Sequence, residues 1–123
     1  MTDVGALIVS DSKYVLQERD AIPGIRWPGR LGLFGGSVEP SEAPESAMRR
    51  ELAEEIEFYP PTMQRFAEFP DLTVFVFDCD ASTVARFKLH EGAAIRVMTA
   101  DEALADDRLI PIVAQLIRDH RNG

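Results

Sequence analysis

The stretch GGSVEPSEAPESAMRRELAEEIEF, residues 35–58, joins a glycine turn to the strongest helix signal in the chain. Pro44 is tolerated in a first helical turn, where its missing N–H would have no intrahelical partner. Apolar residues then recur at intervals of four: Met48, Leu52 and Ile56. Tyr59-Pro60-Pro61 prevents the helix from continuing. The sequence therefore predicts a helix from Pro44 to about Ile56.

Three glutamates of this helix, Glu51, Glu54 and Glu55, are spaced so that they crowd onto one side. Like charges three or four residues apart on a helix destabilise it by a few tenths of a kcal/mol. Because these carboxylates border the apolar stripe, they are expected at the edge of the core, where they are hard to keep ionised without a cation. Their oxygen atoms suit Mg²⁺ or Mn²⁺. The alternative interpretation is a solvated helix face.

Length and charge limit the classes of function. The chain has 123 residues and a formal net charge of −8, so residues 1–123 are expected to form a single domain without the basic surface that long nucleic acids or anionic membranes require. If the substrate is itself an anion, a divalent metal is the obvious group to neutralise it. The single cysteine cannot form an internal disulfide, and the N-terminus resembles a first strand. A cytoplasmic location is expected.

The rest of the chain predicts a mixed sheet covered by helices. Alternating or β-branched runs predict four main strands: Val4–Ser10, Lys13–Glu18, Gln64–Phe69 and Leu72–Cys79. A short strand at Leu33–Phe34 and another at Ala94–Thr99 are also expected. Residues Arg19–Gly32, rich in Pro and Gly, predict a long loop. Leu104–His120 predicts a terminal helix with five apolar residues on one face: Leu109, Ile112, Val113, Leu116 and Ile117.

The spacing of residues 36–58 resembles the signature of a known family. Gly36 is followed by five residues, Glu42, seven residues, Arg50-Glu51, an aliphatic residue, one further residue and Glu54-Glu55. This pattern is similar to the Nudix box, and eight spaced matches make it far more specific than a lone glycine-rich loop. Glu57 stands where the family has glycine. A residue there is either strained in a left-handed conformation, or the helix ends differently.

The resemblance implies a Nudix-like α/β/α sandwich and a set of residue roles. Glu51, Glu54 and Glu55 would bind metal, with the carbonyl of Gly36 as an additional ligand, and Arg50 would hold the glutamates in place through ion pairs. A carboxylate, either Glu54 or Glu91, would take the proton of the attacking water. Glu91 lies in HEGAA, where some Nudix enzymes carry an extra carboxylate; a surface turn residue is the alternative.

Three residues of the long loop are candidates for substrate binding: Trp27, Arg19 and Arg26. Trp27 could stack on a base or simply pack, and the arginines could pair with phosphate or be solvated. His90 is expected to be a solvated loop residue, and Phe75 and Phe77 are expected in the core.

The resemblance implies Mg²⁺- or Mn²⁺-dependent hydrolysis of a nucleoside diphosphate linked to another group. A (d)NTP or an oxidised (d)NTP is the first expectation for the substrate, and a nucleotide sugar is the second. A nucleotide-binding regulatory module without turnover is the alternative from another class. The number of metal ions stays open, as does the oligomeric state, for which a homodimer is one option.

Overall fold

The computed structural model describes residues 2–123, which form seven strands and four helices. The strands are β1 (Asp3–Ser10), β2 (Lys13–Glu18), β3 (Leu31–Gly32), β4 (Phe34–Ser37), β5 (Gln64–Phe69), β6 (Leu72–Asp78) and β7 (Ala94–Met98). The helices are α1 (Pro44–Ile56), α2 (Ala81–Ala85), α3 (Ala100–Ala105) and α4 (Pro111–Asn122). Within residues 2–123, no helix has both the length and the apolar character needed to cross a bilayer.

Strand β1 is the centre of the sheet because it pairs with three other strands. It runs parallel to β6 along almost its whole length and antiparallel to β2 and β4, which pair with different parts of its other edge. Strands β3 and β7 extend the sheet from β2, and β5 pairs with the far edge of β6. The sheet is therefore mixed, as the sequence predicts.

Successive side chains of β1 face opposite sides of the sheet, and each side is covered by helices. Ala6 and Ile8 belong to a buried cluster with α1, whereas Leu7 and Val9 belong to a second cluster with α3 and α4. The first cluster also contains the predicted helix stripe and both predicted core phenylalanines: Met48, Leu52, Ile56, Phe75 and Phe77. This arrangement confirms the α/β/α sandwich.

The prediction of one terminal helix over 104–120 is wrong. The helical conformation is interrupted at Asp106, whose carboxylate accepts a hydrogen bond from the backbone N–H of Arg108 at 2.9 Å. Leu109 then adopts an extended conformation and forms a parallel bridge to Leu31. Helix α4 begins only at Pro111, which fits a first helical position. Helix α3 begins with a capping box formed by Thr99 and Glu102.

Three smaller differences concern short elements. The predicted loop Arg19–Gly32 ends at Arg30, because Leu31 starts β3 and is fully buried. The predicted strand at Leu33–Phe34 corresponds to β4, which begins at Phe34 and continues to Ser37. Helix α2 was not predicted; it spans five residues and is capped by Asp80, whose side chain accepts a hydrogen bond from the N–H of Thr83. A single helical turn is too short to leave a periodic apolar pattern.

Replacing Leu52 by alanine tests how far the sandwich depends on α1. Leu52 is fully buried between α1 and the sheet, so Leu52→Ala is expected to lower the free energy of unfolding by about 2–5 kcal/mol. Urea denaturation followed by circular dichroism measures the change. Ile22→Ala is the control, because Ile22 is mostly exposed and its loss is expected to cost less than about 0.5 kcal/mol. Equal losses in the two variants would contradict the prediction.

Candidate active site

Gly35 and Gly36 of β4 each allow a close approach, Gly35 to strand β1 and Gly36 to helix α1. A Cβ atom on Gly35 would lie 2.0 Å from the carbonyl oxygen of Val4, because β4 packs directly on β1. A Cβ atom on Gly36 would lie 2.3 Å from Oε1 of Glu51. The space that any other residue would fill at position 36 is therefore occupied by a carboxylate of α1.

The three candidate metal-binding glutamates of α1 differ sharply in exposure. Glu55 is 2% exposed, and its Oε1 atom has no hydrogen-bond partner. The side chain of Glu51 is mostly buried, whereas that of Glu54 is 59% exposed. The prediction that these carboxylates lie at the edge of the core is confirmed, with Glu55 on the inner side and Glu54 on the outer side.

Burial changes the protonation of the inner carboxylates. Loss of hydration, together with the neighbouring carboxylates of Glu91 and Glu51, raises the pKa of Glu55 to about 9, against the lowering effect of a backbone hydrogen bond from Gly35. Burial also raises the pKa of Glu51, against the lowering effect of Arg50. Glu51, Glu55 and Glu91 therefore form one electrostatically coupled group.

Arg50 connects most of the charged side chains around this group. Its Nε and Nη2 atoms donate to the two carboxylate oxygens of Glu42 at 2.9 and 3.0 Å. Its Nη1 atom donates to Oε1 of Glu51 at 3.1 Å and lies 3.6 Å from Oε1 of Glu54. The hydrogen bonds to Glu42 raise the pKa of Arg50, so its charge is permanent. The pairing of Arg50 with the glutamates, including Glu42, agrees with the expectation.

Glu91 lies in the loop of residues 86–93, here called the Glu91 loop. The buried side chain of Gln17 donates from Nε2 to the carbonyl oxygen of Glu91 at 3.0 Å. The N–H of His90 donates to the carbonyl oxygen of Glu55 at 2.8 Å. Sequence reasoning missed Gln17, because nothing in the sequence pairs a strand residue with a loop 74 positions away.

Glu57 ends α1 in the left-handed conformation, with φ 53° and ψ 45°. Its N–H donates to the carbonyl oxygen of Ala53, as in a helix end that normally carries glycine. Of the two alternatives for Glu57, the strained one is therefore correct. Its carboxylate contacts Nε2 of His90, a loop residue whose side chain is exposed, as the sequence predicts.

The three predicted substrate-binding residues lie together. Trp27, Arg19 and Arg26 line a cavity of about 270 Å³ that is bounded by Gly35 and Gly36 on one side and by Ile110 and Ile112 on the other. Trp27 is 40% exposed, and Nε of Arg19 donates to the carbonyl oxygen of Arg26 at 2.8 Å. Arg19 also lines an adjoining cavity of about 220 Å³ that contains Glu91.

The carboxylates of α1 and Glu91 offer the type of ligand atom that a hard divalent cation prefers, but their side chains are too far apart to bind one as they stand. Among residues 2–123, no three His, Cys, Asp or Glu side chains are grouped closely enough to hold a metal ion as they stand. The unpartnered oxygen of Glu55 and the coupled carboxylates of Glu51 and Glu91 nevertheless form the oxygen-rich, anionic setting that Mg²⁺ or Mn²⁺ prefers. A bound ion would require these side chains to converge.

Comparison with known proteins identifies the family. The model of the family described as NUDIX domain matches residues 1–119. This chain therefore belongs to the Nudix hydrolase family.

Similar proteins are found both by sequence and by structure. The nucleoside triphosphatase NudI of Escherichia coli is 44% identical over 55 residues, which cover 45% of this chain and only 38% of NudI. The MutT protein of Methanosarcina mazei superposes with a TM-score of 0.74 at 24% identity, covering 99% of this chain and 94% of its own. An Ap4A hydrolase of C. elegans superposes with a TM-score of 0.76 at 17% identity, covering 98% and 96%. At these identities the structural matches establish the fold.

The raised pKa of Glu55 makes stability depend on pH. Because the folded protein holds a proton on Glu55 up to about pH 9, whereas an unfolded glutamate loses it near its ordinary pKa of 4.5, the metal-free protein is expected to lose stability as pH rises between these values. The slope contributed by this group is at most about 1.4 kcal/mol per pH unit.

Urea denaturation of the metal-free protein at several pH values tests this dependence. Glu55→Gln removes the titrating group and is expected to flatten the slope. Glu54→Gln is the matched control on the exposed side of the same helix and is expected to leave the slope unchanged. A wild-type stability that stays constant from pH 5 to 9 would rule out a protonated Glu55.

Proposed function

We propose that this protein is a metal-dependent pyrophosphohydrolase that cleaves a nucleoside diphosphate linked to another group, with a (d)NTP or an oxidised (d)NTP as substrate. The observation that carries the proposal is the position of the buried Glu55, beside Glu51 and Glu91 and behind the glycines that border the Trp27 cavity. The nucleoside triphosphatase name of the partly matching NudI supports this class of substrate.

In this proposal, Mg²⁺ or Mn²⁺ is held by Glu51, Glu54 and Glu55, with the carbonyl of Gly36 as an additional ligand. Such an ion neutralises phosphate charge and lowers the pKa of a bound water. Arg50 keeps Glu51 and Glu54 oriented, because its guanidinium is itself fixed by two hydrogen bonds to Glu42. The net charge of −8 is then compatible with an anionic substrate, since the local charge at the site changes when the ion binds.

The protein's own part in the chemistry is to remove a proton and to hold the reacting groups. A carboxylate takes the proton of the attacking water, the water oxygen forms a bond to phosphorus, and the bridging P–O bond breaks with its electrons on the leaving phosphate. Glu54 and Glu91 are the two candidates for the base. Glu54 is exposed and close to Arg50, whereas Glu91 lies beside Glu55.

The cavity next to the carboxylates suits the nucleoside part of the substrate. Trp27 offers an aromatic face that is partly exposed, Ile110 and Ile112 offer apolar contacts, and Arg19 and Arg26 offer positive charge for phosphate oxygens. The proposed binding sites for the nucleobase and for the phosphate groups are therefore adjacent. A nucleotide sugar remains the second candidate for the substrate, and a binding module without turnover remains the alternative function.

Three further expectations stay predictions: a single domain over residues 1–123, a cytoplasmic location and a homodimer. Each has a direct measurement: limited proteolysis for the domain, fractionation of cells for the location, and light scattering for the dimer.

Turnover of a substrate panel tests the proposed activity. Release of phosphate or pyrophosphate is measured with (d)NTPs, oxidised (d)NTPs, nucleotide sugars and Ap4A, with and without Mg²⁺ or Mn²⁺. Wild type is expected to hydrolyse at least one triphosphate only when the metal is present, and Glu54→Gln is expected to reduce kcat about 100-fold or more. Glu68→Gln, an exposed glutamate paired with Arg65, is the control.

The panel also separates the alternatives. Preferred turnover of nucleotide sugars would favour the second substrate class. Tight nucleotide binding in calorimetry without any product would favour the regulatory module. A Glu54→Gln variant as fast as wild type would contradict its assigned role.

Replacing Trp27 tests the proposed binding site for the nucleobase. Loss of base stacking is expected to raise KM about tenfold in Trp27→Ala, with a smaller change in kcat. Trp27→Phe keeps an aromatic face at the same position and is expected to retain most of the affinity. Steady-state kinetics on the preferred substrate measures both, and an unchanged KM in Trp27→Ala would assign this residue to packing alone.

A further inference from the structure

The Glu91 loop closes the C-terminal end of α1. The last carbonyl groups of a helix have no partner within the helix and must be satisfied from outside. Here the N–H of Lys88 donates to the carbonyl oxygen of Ile56 at 3.1 Å, and the N–H of His90 donates to that of Glu55 at 2.8 Å. The backbone on both sides of residue 89 is therefore tied to the helix that carries the candidate metal-binding glutamates.

The side chain of Glu57 adds a contact that glycine at this position could not make. Glycine is the residue that adopts positive φ without steric conflict, yet the chain carries glutamate here with φ 53°. The carboxylate of Glu57 reaches Nε2 of His90, the residue directly before Glu91. The departure from the family signature thus coincides with a side-chain bond to the loop that carries a candidate catalytic carboxylate.

The other side of Glu91 is held by strand β2. The carbonyl oxygen of Glu91 accepts a hydrogen bond from the buried Gln17, and the N–H of Ala93 donates to the carbonyl oxygen of Glu18 at 2.7 Å. Gly92, with φ 94°, makes this approach possible, because a Cβ atom there would lie 2.9 Å from Cγ of Gln17. Glu91 is therefore held from both sides, by β2 through Gln17 and by α1 through His90.

We propose that Glu57 is a positioning residue: through His90 it holds the Glu91 loop on the end of α1, so that the Glu91 carboxylate stays beside Glu55. This role rests on the proposed function, since it concerns the placement of Glu91 for hydrolysis. Glu57 itself is exposed, and neither it nor His90 lines the Trp27 cavity or the cavity that contains Glu91, so it acts on the reaction only through the loop.

Hydrogen exchange of the metal-free protein tests the contact without reference to activity. Glu57→Gln keeps the length of the side chain and the left-handed backbone but replaces the carboxylate that contacts His90 with a neutral amide. The amides of Lys88 and His90 are expected to exchange about fivefold or more faster in Glu57→Gln than in wild type. Glu68→Gln, which removes an exposed carboxylate from a distant ion pair, is the matched control and is expected to leave these amides unchanged.

Kinetics on the preferred substrate tests whether the contact acts through Glu91. Glu57→Gln and His90→Gln are each expected to lower kcat about 3- to 10-fold with KM within about twofold, and the double variant should lose no more than either single one. In a Glu91→Gln background, Glu57→Gln is expected to have no further effect on kcat. Glu57→Gly, which relieves the backbone but lacks the carboxylate, should lose kcat to the same extent.

The possible failures are distinct. Unchanged exchange at Lys88 and His90 overturns the inference, as does an unchanged kcat in Glu57→Gln while wild type is active. If Glu57→Gln lowers kcat in the Glu91→Gln background as much as it does in wild type, the inference is also overturned, because the effect then does not pass through Glu91. If wild type hydrolyses no substrate of the panel, the proposed function fails, and the positioning role fails with it even if the exchange rates respond.

Discussion

Burial of the Glu55 carboxyl is the constraint on which the rest of this site depends. A carboxylate that is removed from water next to two other carboxylates is expensive to keep ionised, and its pKa rises to about 9. The fold nevertheless buries the Glu55 carboxyl group, and one of its oxygen atoms has no hydrogen-bond partner. Such an arrangement adds nothing to stability in the absence of a cation, so it is best understood as part of a functional site.

The sandwich provides this burial through close packing at one corner. Gly35, in β4, lies directly on the backbone of β1, and the carboxylate of Glu51 from α1 fills the space beside Gly36. Arg50 then gathers Glu42, Glu51 and Glu54 into one network on the outer side. The same glycines border the cavity of Trp27, so the proposed metal site and the proposed nucleotide site share a wall.

Local signals predicted the elements that have strong periodic patterns. Helix α1 and strands β1, β2 and β6 follow their apolar spacing closely, since each buries a continuous stripe or face. The terminal helix was predicted wrongly because its apolar residues continue through Leu109 and Ile110, although these two residues extend toward β3 instead of forming a helical turn. An apolar run does not reveal whether its burial occurs in a helix or beside a strand.

The helix of residues 44–56, the spacing of its glutamates and the family can all be read from the amino-acid sequence, because they depend on local periodicity and on a signature of 23 residues. The burial of Glu55 and the exposure of Glu54 follow instead from the way α1 packs on the sheet. The fold also brings the Glu91 loop to the end of α1, places Gln17 against the carbonyl group of Glu91, and lets Glu57 bond to His90. These contacts join residues 33 to 74 positions apart, and their geometry is set by the pairing of β7 with β2 and by the packing of α1, which no local pattern encodes.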